Sequence, residues 1–322
     1  MHDRFGRSIR YLRLSVTPAC SMRCVYCRPV GIGHHSLSDL MSPPEIEQVV
    51  RHLVESVGLI KVRLTGGEPT ARGDILQIVR RIAGIRGIQD LAMTTNGLTL
   101  QRLAKPLREA GLRRVNISLD SLDPKRFADM TGVDGLERVK QGIDAALQAG
   151  FDPVKLNTVV IRGQNDQELP DLMYFAADKG LEIRFIELMP MGPLANRWEQ
   201  RYVSADEMRR TIAPHVLVSE HLVRDASSAR RVRAVLQDGR IVEYGFITPM
   251  SCPFCDLCDR IRIAADGSLF PCLMDRPRAN LMSAIRPRFD PDAFDAILFD
   301  ALQSKQEEHP STGFIPMIQI GG

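Results

Sequence analysis

The chain has 322 residues, enough to bury one large core or two. Its 44% hydrophobic and 25% charged content is that of an ordinary soluble globular protein, and a net charge of +3 is too mild to argue for nucleic acid. No apolar run is long enough to span a membrane and Met1-His2-Asp3-Arg4 opens no signal peptide, so the expected setting is cytoplasmic, with neither membrane nor nucleic acid as a partner.

Residues 10–16 alternate Leu12, Leu14 and Val16 against Arg13 and Ser15, as a strand should. That strand runs into Cys20-x3-Cys24-x2-Cys27, three thiols within eight residues. A loop so short turns its thiolates toward one corner of a cube, and three Cys ligands hold three irons of a [4Fe–4S] cluster. The fourth iron then lacks a protein ligand, and an open metal position is where chemistry happens. A tetrahedral zinc site is the alternative, with His34 or His35 as its fourth ligand.

Ser42-Pro-Pro-Glu45 reads as a capping box with Gly58 as the helix stop. The same grammar recurs. Strand-like Leu59–Leu64 precedes a helix from about Asp74, and Ile88–Met93 precedes one ending before Gly111. Leu112–Leu119 precedes a helix from Asp134-x-x-Glu137 to Gly150; Val154–Ile161 precedes one from about Asp166 to Gly180, and Leu181–Ile186 follows. Six such alternations predict a parallel sheet with right-handed crossovers. Gly66-Gly67-Glu68, Thr95-Asn96-Gly97, Ser118-Leu119-Asp120 and Glu187-Leu188-Met189 gather just after strands, where an α/β barrel or an open doubly wound sheet carries its ligands. The pattern alone does not separate those two folds.

After about residue 190 the rhythm changes, which puts a soft boundary near 180–190. Ser204-Ala-Asp-Glu207 caps a short helix, and Val232–Leu236, Asp238-Gly239 and Ile241–Ile247 form a hairpin pattern. Cys255-x2-Cys258-x13-Cys272 follows, with Cys252 just upstream. On count alone this group could be a four-Cys zinc ribbon. Arg260-Ile261-Arg262-Ile263 alternates as a strand, with both guanidinium groups on one face. Two such forks beside a metal site suit a polyanion such as a triphosphate; a solvated edge face is the plainer reading. Seven cysteines in two clusters fit two metal sites better than disulfides.

The first triad, with Tyr26 before its third Cys, resembles the signature of the radical S-adenosylmethionine (SAM) enzymes. One family among them joins that triad to Cys-x2-Cys-x13-Cys, Arg-x-Arg and a Gly-Gly end: the GTP 3′,8-cyclases of molybdenum cofactor biosynthesis. This chain is similar to it over nearly its whole length, including Asp3-Arg4-Phe5-Gly6-Arg7, Phe185–Met189 and Gly321-Gly322.

The resemblance implies an incomplete (β/α) TIM-type barrel over residues 1–185, closed by an α+β region over 186–322 that carries a second iron–sulfur cluster and binds GTP. It implies two [4Fe–4S] clusters, one on Cys20, Cys24 and Cys27 and one on Cys255, Cys258 and Cys272. Tyr26, Gly66, Gly67, Glu68, Ser118 and Met189 match its SAM contacts. Arg13, Arg63, Thr94, Lys155, Arg260, Ile261 and Arg262 match its GTP contacts. Arg13 with Gly321 and Gly322 would serve catalysis, the tail inserting toward the site and ordering an arginine. The implied activity is that of a lyase: reductive SAM cleavage gives a 5′-deoxyadenosyl radical that takes hydrogen from C3′ of GTP, and C3′ then attacks guanine C8. A reduced flavodoxin-type donor, a downstream cyclic pyranopterin monophosphate synthase and a homodimer are the implied partners. A peptide-modifying radical SAM enzyme with an auxiliary cluster and, more remotely, a zinc-stabilised binding protein are the alternatives.

Overall fold

The structure, a computed structural model, describes residues 1–27, 37–223 and 228–310. The expectations for His34, His35, Gly321 and Gly322 lie outside these described residues. Twelve strands form one sheet: β1 Tyr11–Ser15, β2 Lys61–Thr65, β3 Asp90–Thr95, β4 Arg114–Ser118, β5 Val154–Val160, β6 Glu182–Glu187, β7 Val216–His221, β8 Ala229–Leu236, β9 Ile241–Ile247, β10 Arg260–Ile263, β11 Ser268–Phe270 and β12 Ala279–Asn280. The order is β12-β11-β10-β1-β2-β3-β4-β5-β6-β9-β8-β7. From β10 through β1–β6 to β9 every pairing is parallel, and antiparallel strands extend both edges.

This order settles the choice between the two α/β folds. A doubly wound sheet reverses its strand order at a switch point. Here β1 to β6 run consecutively, so the chain winds one way, as in a barrel. The C-terminal part supplies a parallel neighbour to each end of the six strands, β9 beside β6 and β10 beside β1.

Local chemistry explains the winding. The helix Pro43–Val57 starts where Glu45 accepts hydrogen bonds from the Ser42 backbone N–H and hydroxyl at 2.7 and 2.8 Å. It buries Ile46, Val49, Val50, Leu53 and Val57 at helical spacing, and ends at Gly58 with φ 72°, where glycine escapes the Cβ penalty. Leu12, Leu14, Val62, Leu64, Val115 and Ile117 leave the sheet on the face that meets such helices, and all are buried. Their strand neighbours therefore point to the opposite, inner face.

Three sequence expectations change. A separate helix, Pro124–Thr131, lies after β4; Asp123 caps it by accepting from the Arg126 N–H at 2.7 Å. The next helix is Leu136–Gln148 and begins after Gly135 rather than at Asp134. Arg260–Ile263 is no edge: β10 lies between β1 and β11, and Arg262 is only 6% exposed. The sheet also continues where the sequence rhythm breaks. Glu187, the last residue of β6, accepts hydrogen bonds from Tyr202, Ala205, Met250 and Ser251 and binds the later chain to the strand end.

Gly142 tests the packing of the helix Leu136–Gln148. Alanine there gains about 1 kcal/mol of helix propensity, yet its Cβ would lie 2.4 Å from the Gly97 carbonyl oxygen and 3.1 Å from Leu100 Cβ. Overpacking of this kind costs about 1–3 kcal/mol, more when backbone is the obstacle. Gly142→Ala is expected to lower the urea midpoint; an unchanged or raised midpoint would show that helix and loop separate freely.

Candidate active site between two cysteine triads

The inward residues of adjoining strands stand side by side. Register pairs Arg13 with both Arg63 and Arg262, Asn116 with Lys155 and Lys155 with Glu182, and Asn157 with both Ser118 and Arg184. Residues from β1 to β6 and from β9 and β10 line one cavity of about 300 Å³, so the sheet curls around it. All three thiols of each triad line that cavity.

At one end, the loop after β2 packs against the approach to Cys20. The Gly67 N–H donates to the Thr17 carbonyl and the Glu68 N–H to the Ala19 carbonyl, both at 2.7 Å. A Cβ on Gly67 would lie 2.3 Å from the Ala19 oxygen and 2.6 Å from the Pro18 oxygen, so glycine is required there. Glu68 Oε1 accepts from the Thr70 N–H, the Thr70 hydroxyl and the Thr95 hydroxyl, and Oε2 from the Asn96 N–H at 2.6 Å. Its carboxyl is nonetheless held above its usual range by burial. The Tyr26 hydroxyl donates to Asp120 Oδ2 at 2.7 Å, and burial pushes Asp120 up to about 6. Cys24 is raised by burial, then by Asp120 and by the charges of Cys27 and Cys20.

The cavity also gathers cations. Arg13, Arg63, Arg184, Arg260 and Arg262 all line it. Burial, then the Arg262 charge, holds Arg13 well below the usual guanidinium value; burial brings Arg262 to about 10. Tyr11 lies under two of them, with Arg63 5.7 Å and Arg260 5.9 Å from its ring centre, and Arg260 stacks on Phe254 at 5.0 Å. Burial raises Cys255 and Cys272. It would raise Cys258 too, but the Lys305 and Arg260 charges bring that thiol below its usual value.

Arg63 Nε, Thr65 Oγ1, Thr94 Oγ1, Asn116 Nδ2 and Asn157 Oδ1 are buried without a hydrogen-bond partner among the described residues. All five side chains line the cavity. An unpaired buried polar group costs about 1–3 kcal/mol, so this wall is built for a polar ligand. The donor sets also fit iron–sulfur clusters: each triad offers three thiols to the cavity, and Cys252, held instead by an Arg230 N–H 2.6 Å from its sulfur, is not in the lining.

Of the residues expected from sequence, the six cysteines, Arg13, Tyr26, Arg63, Gly66, Gly67, Glu68, Thr94, Ser118, Met189, Arg260 and Arg262 meet in this cavity. Lys155 and Ile261 do not line it. Lys155 pairs with Glu182 at 2.5 Å, one strand layer below Asn157, and Arg184 holds the other Glu182 oxygen at 2.6 Å. Ile261 points to the helix side and is fully buried in the apolar core. Asn96 and Asp120, from the strand-end segments noted in the sequence, also line it, whereas Asn116, Asn157, Arg184 and His309 line it without having been expected. Strand alternation from Ser118 back to Asn116 was the available signal, whereas nothing marks His309, whose Nε2 lies 2.6 Å from the Pro249 carbonyl oxygen. Trp198 gains a structural part: its indole N–H donates to the Leu188 carbonyl at 2.6 Å and braces the segment that carries Met189.

The backbone contact at Gly67 yields a metal-content test. Gly67→Ala would push Pro18 and Ala19 away and displace Cys20 from its two companions. Anaerobically reconstituted protein is expected to fall from about eight irons per chain to about four while remaining folded. Full iron loading in the variant would show that the first triad tolerates the shift.

Comparison with known proteins agrees with this architecture. Residues 14–176 match the radical SAM superfamily and residues 181–311 match Molybdenum Cofactor Synthesis C. GTP 3′,8-cyclase of Alkaliphilus metalliredigens (strain QYMF) is 42% identical over 311 residues, 96% of this chain and 94% of that protein. GTP 3′,8-cyclase of Pelotomaculum thermopropionicum is 41% identical over 312 residues, 96% of this chain and 95% of that one. Streptococcus suis SuiB, solved bound to precursor peptide SuiA, shares the fold with a TM-score of 0.64 at 15% identity, over 92% of this chain and 67% of its own. The chain belongs to the GTP 3′,8-cyclase family of the radical SAM superfamily.

Proposed function

We propose that this chain converts GTP to 3′,8-cyclo-7,8-dihydro-GTP with SAM as co-substrate, the first step of molybdenum cofactor biosynthesis. The observation that carries this reading is the polarity of the cavity. The carboxyl groups Glu68 and Asp120 are bonded beside the first triad, through Asn96 and Tyr26, whereas Arg260 and Arg262 act on the second-triad thiols and Arg13 and Arg63 adjoin them by strand register. A ligand bearing an ammonium and a sulfonium suits the first side, and a triphosphate suits the other.

The cluster on the first triad, when bound, supplies the electron that cleaves SAM so that a hydrogen can be taken from C3′ of GTP. The chain's own residues bind and orient. Gly66 and Gly67 let their loop pack on the backbone of residues 17–19 and so position the wall beside Cys20, while Tyr26, Ser118 and Met189 close on the ligand from three further segments. Arg13, Arg63, Arg260 and Arg262 hold the triphosphate, and Thr94, Asn116 and Asn157 offer their unpartnered atoms to sugar and phosphate. Lys155 neutralises Glu182 behind Arg184 rather than touching the nucleotide. Ile261 contributes the spacing that keeps Arg260 and Arg262 two residues apart on one strand. Gly321 and Gly322 serve catalysis together with Arg13. A flavodoxin-type donor supplies electrons in the cytosol, where thiols stay reduced, and a cyclic pyranopterin monophosphate synthase takes the product from a homodimer.

Incubating reconstituted protein anaerobically with GTP, SAM and dithionite tests the reaction: 5′-deoxyadenosine and a cyclised nucleotide are expected together. Formation of 5′-deoxyadenosine with GTP left intact would overturn it. Arg260→Ala and Arg262→Ala are each expected to weaken GTP binding about 10- to 150-fold, the loss of one charge-assisted contact of about 1.5–3 kcal/mol. Both should keep the spectra of the two clusters. Lysine at either position should restore only part of the affinity, because a compact ammonium cannot replace a planar fork.

A further inference from the structure

Lys305 is buried, 2% exposed, and sits outside every expectation drawn from the sequence. Its ammonium donates to the Arg260 carbonyl at 2.7 Å, to the Cys258 carbonyl at 3.4 Å and to Cys258 Sγ at 3.5 Å. Those three contacts use all three of its N–H groups, and each falls on the segment that joins the second triad to β10. Among the described residues it has no carboxylate partner. A buried ammonium calls for an anion beside it, and among the described residues the ligand sulfur of Cys258 is the group of that kind within its reach.

The neighbouring residues fix its position. Arg7 donates to the Cys255 carbonyl at 2.8 Å, to the Gln306 carbonyl at 2.6 Å and to the Glu307 carbonyl at 2.9 Å. Asp3 steadies the same guanidinium at 2.6 Å. Residues 305–307 are thereby stitched to two of the three second-triad cysteines, one link through Lys305 and one through Arg7.

We propose that Lys305 is the charge partner of the second triad: by donating to Cys258 Sγ it raises the reduction potential of the cluster bound there. A cluster gains negative charge on reduction, and a fixed ammonium at its ligand sulfur favours that state; hydrogen bonds to ligand sulfurs are among the factors that set such potentials. The inference rests on the two-cluster reading above, and the experiment separates them. That reading fails if the unsubstituted protein holds only about four irons per chain.

The test is a potentiometric titration of the reconstituted full-length chain, followed by electron paramagnetic resonance. Lys305→Met removes the charge at similar length. It is expected to shift the second cluster's one-electron equilibrium at least tenfold toward the oxidised form, a fall of about 59 mV or more, with the first cluster unmoved. Lys305→Arg keeps the charge and should stay near the parent value. A second-cluster potential in Lys305→Met within that margin of the parent overturns the proposal. Should Lys305→Met fail to retain the second cluster, Lys305→Arg decides: a retained cluster supports a role for the charge, and a lost one assigns Lys305 to packing alone.

Discussion

Like charges crowded into one lumen govern this molecule. Four guanidinium groups from three adjacent strands, β10, β1 and β2, are held together by backbone register, because parallel pairing sets Arg262 beside Arg13 and Arg13 beside Arg63. Their repulsion and desolvation oppose folding, and the depressed value of Arg13 is the local sign of it. The apolar face of the same strands supplies the opposing force: Leu12, Leu14, Val62, Leu64, Ile261 and Ile263 are buried against the helices. Alternation thus couples the two, since no strand can bury its leucines without turning its arginines inward. The charge so gathered is of the sign that a polyanion offsets.

The other half of the cavity follows a different logic. Around the first triad the carboxylates are satisfied, Glu68 being surrounded by donors and Asp120 holding Tyr26, although Thr65 Oγ1 is unpartnered among the described residues. A preorganised wall of this kind does not move when a ligand arrives, which suits a site that must fix one reacting atom. The unpartnered atoms of Arg63, Thr94, Asn116 and Asn157 mark the side where the ligand completes the hydrogen bonding.

Much of this was legible in the sequence, because short-range chemistry controlled it. The capping boxes at Ser42 and Ser204, the Gly58 stop and the hairpin at Asp238-Gly239 are local signals, and local signals survive in one dimension. The cysteine spacings are local in the same sense. What sequence reasoning missed depends on distant partners. Lys155 gains a partner that the sequence does not show when the β5–β6 register places Glu182 beside it. The edge strand Val216–His221 exposes Leu217 and Val218, so it lacks the alternation that betrays a half-buried strand. The helix Pro124–Thr131 is only eight residues long and hid inside a connection that needed one helix. Lys305 and Arg7 acquire meaning only through carbonyl groups far away in the chain.

The pairing of β1 with β10 has a consequence for the nascent chain. Tyr11 meets Arg260, so the outer edge of β1 has no native neighbour until nearly the whole protein has been made. At roughly 5–20 residues per second, that edge stays open for on the order of ten to fifty seconds on the ribosome. Open edges recruit strands from other chains, and charged side chains are a common deterrent. Arg10 and Arg13 put positive charge on this edge from the moment it emerges. Arg13, which lines the lumen of the folded chain, thus carries charge on an edge that is open earlier.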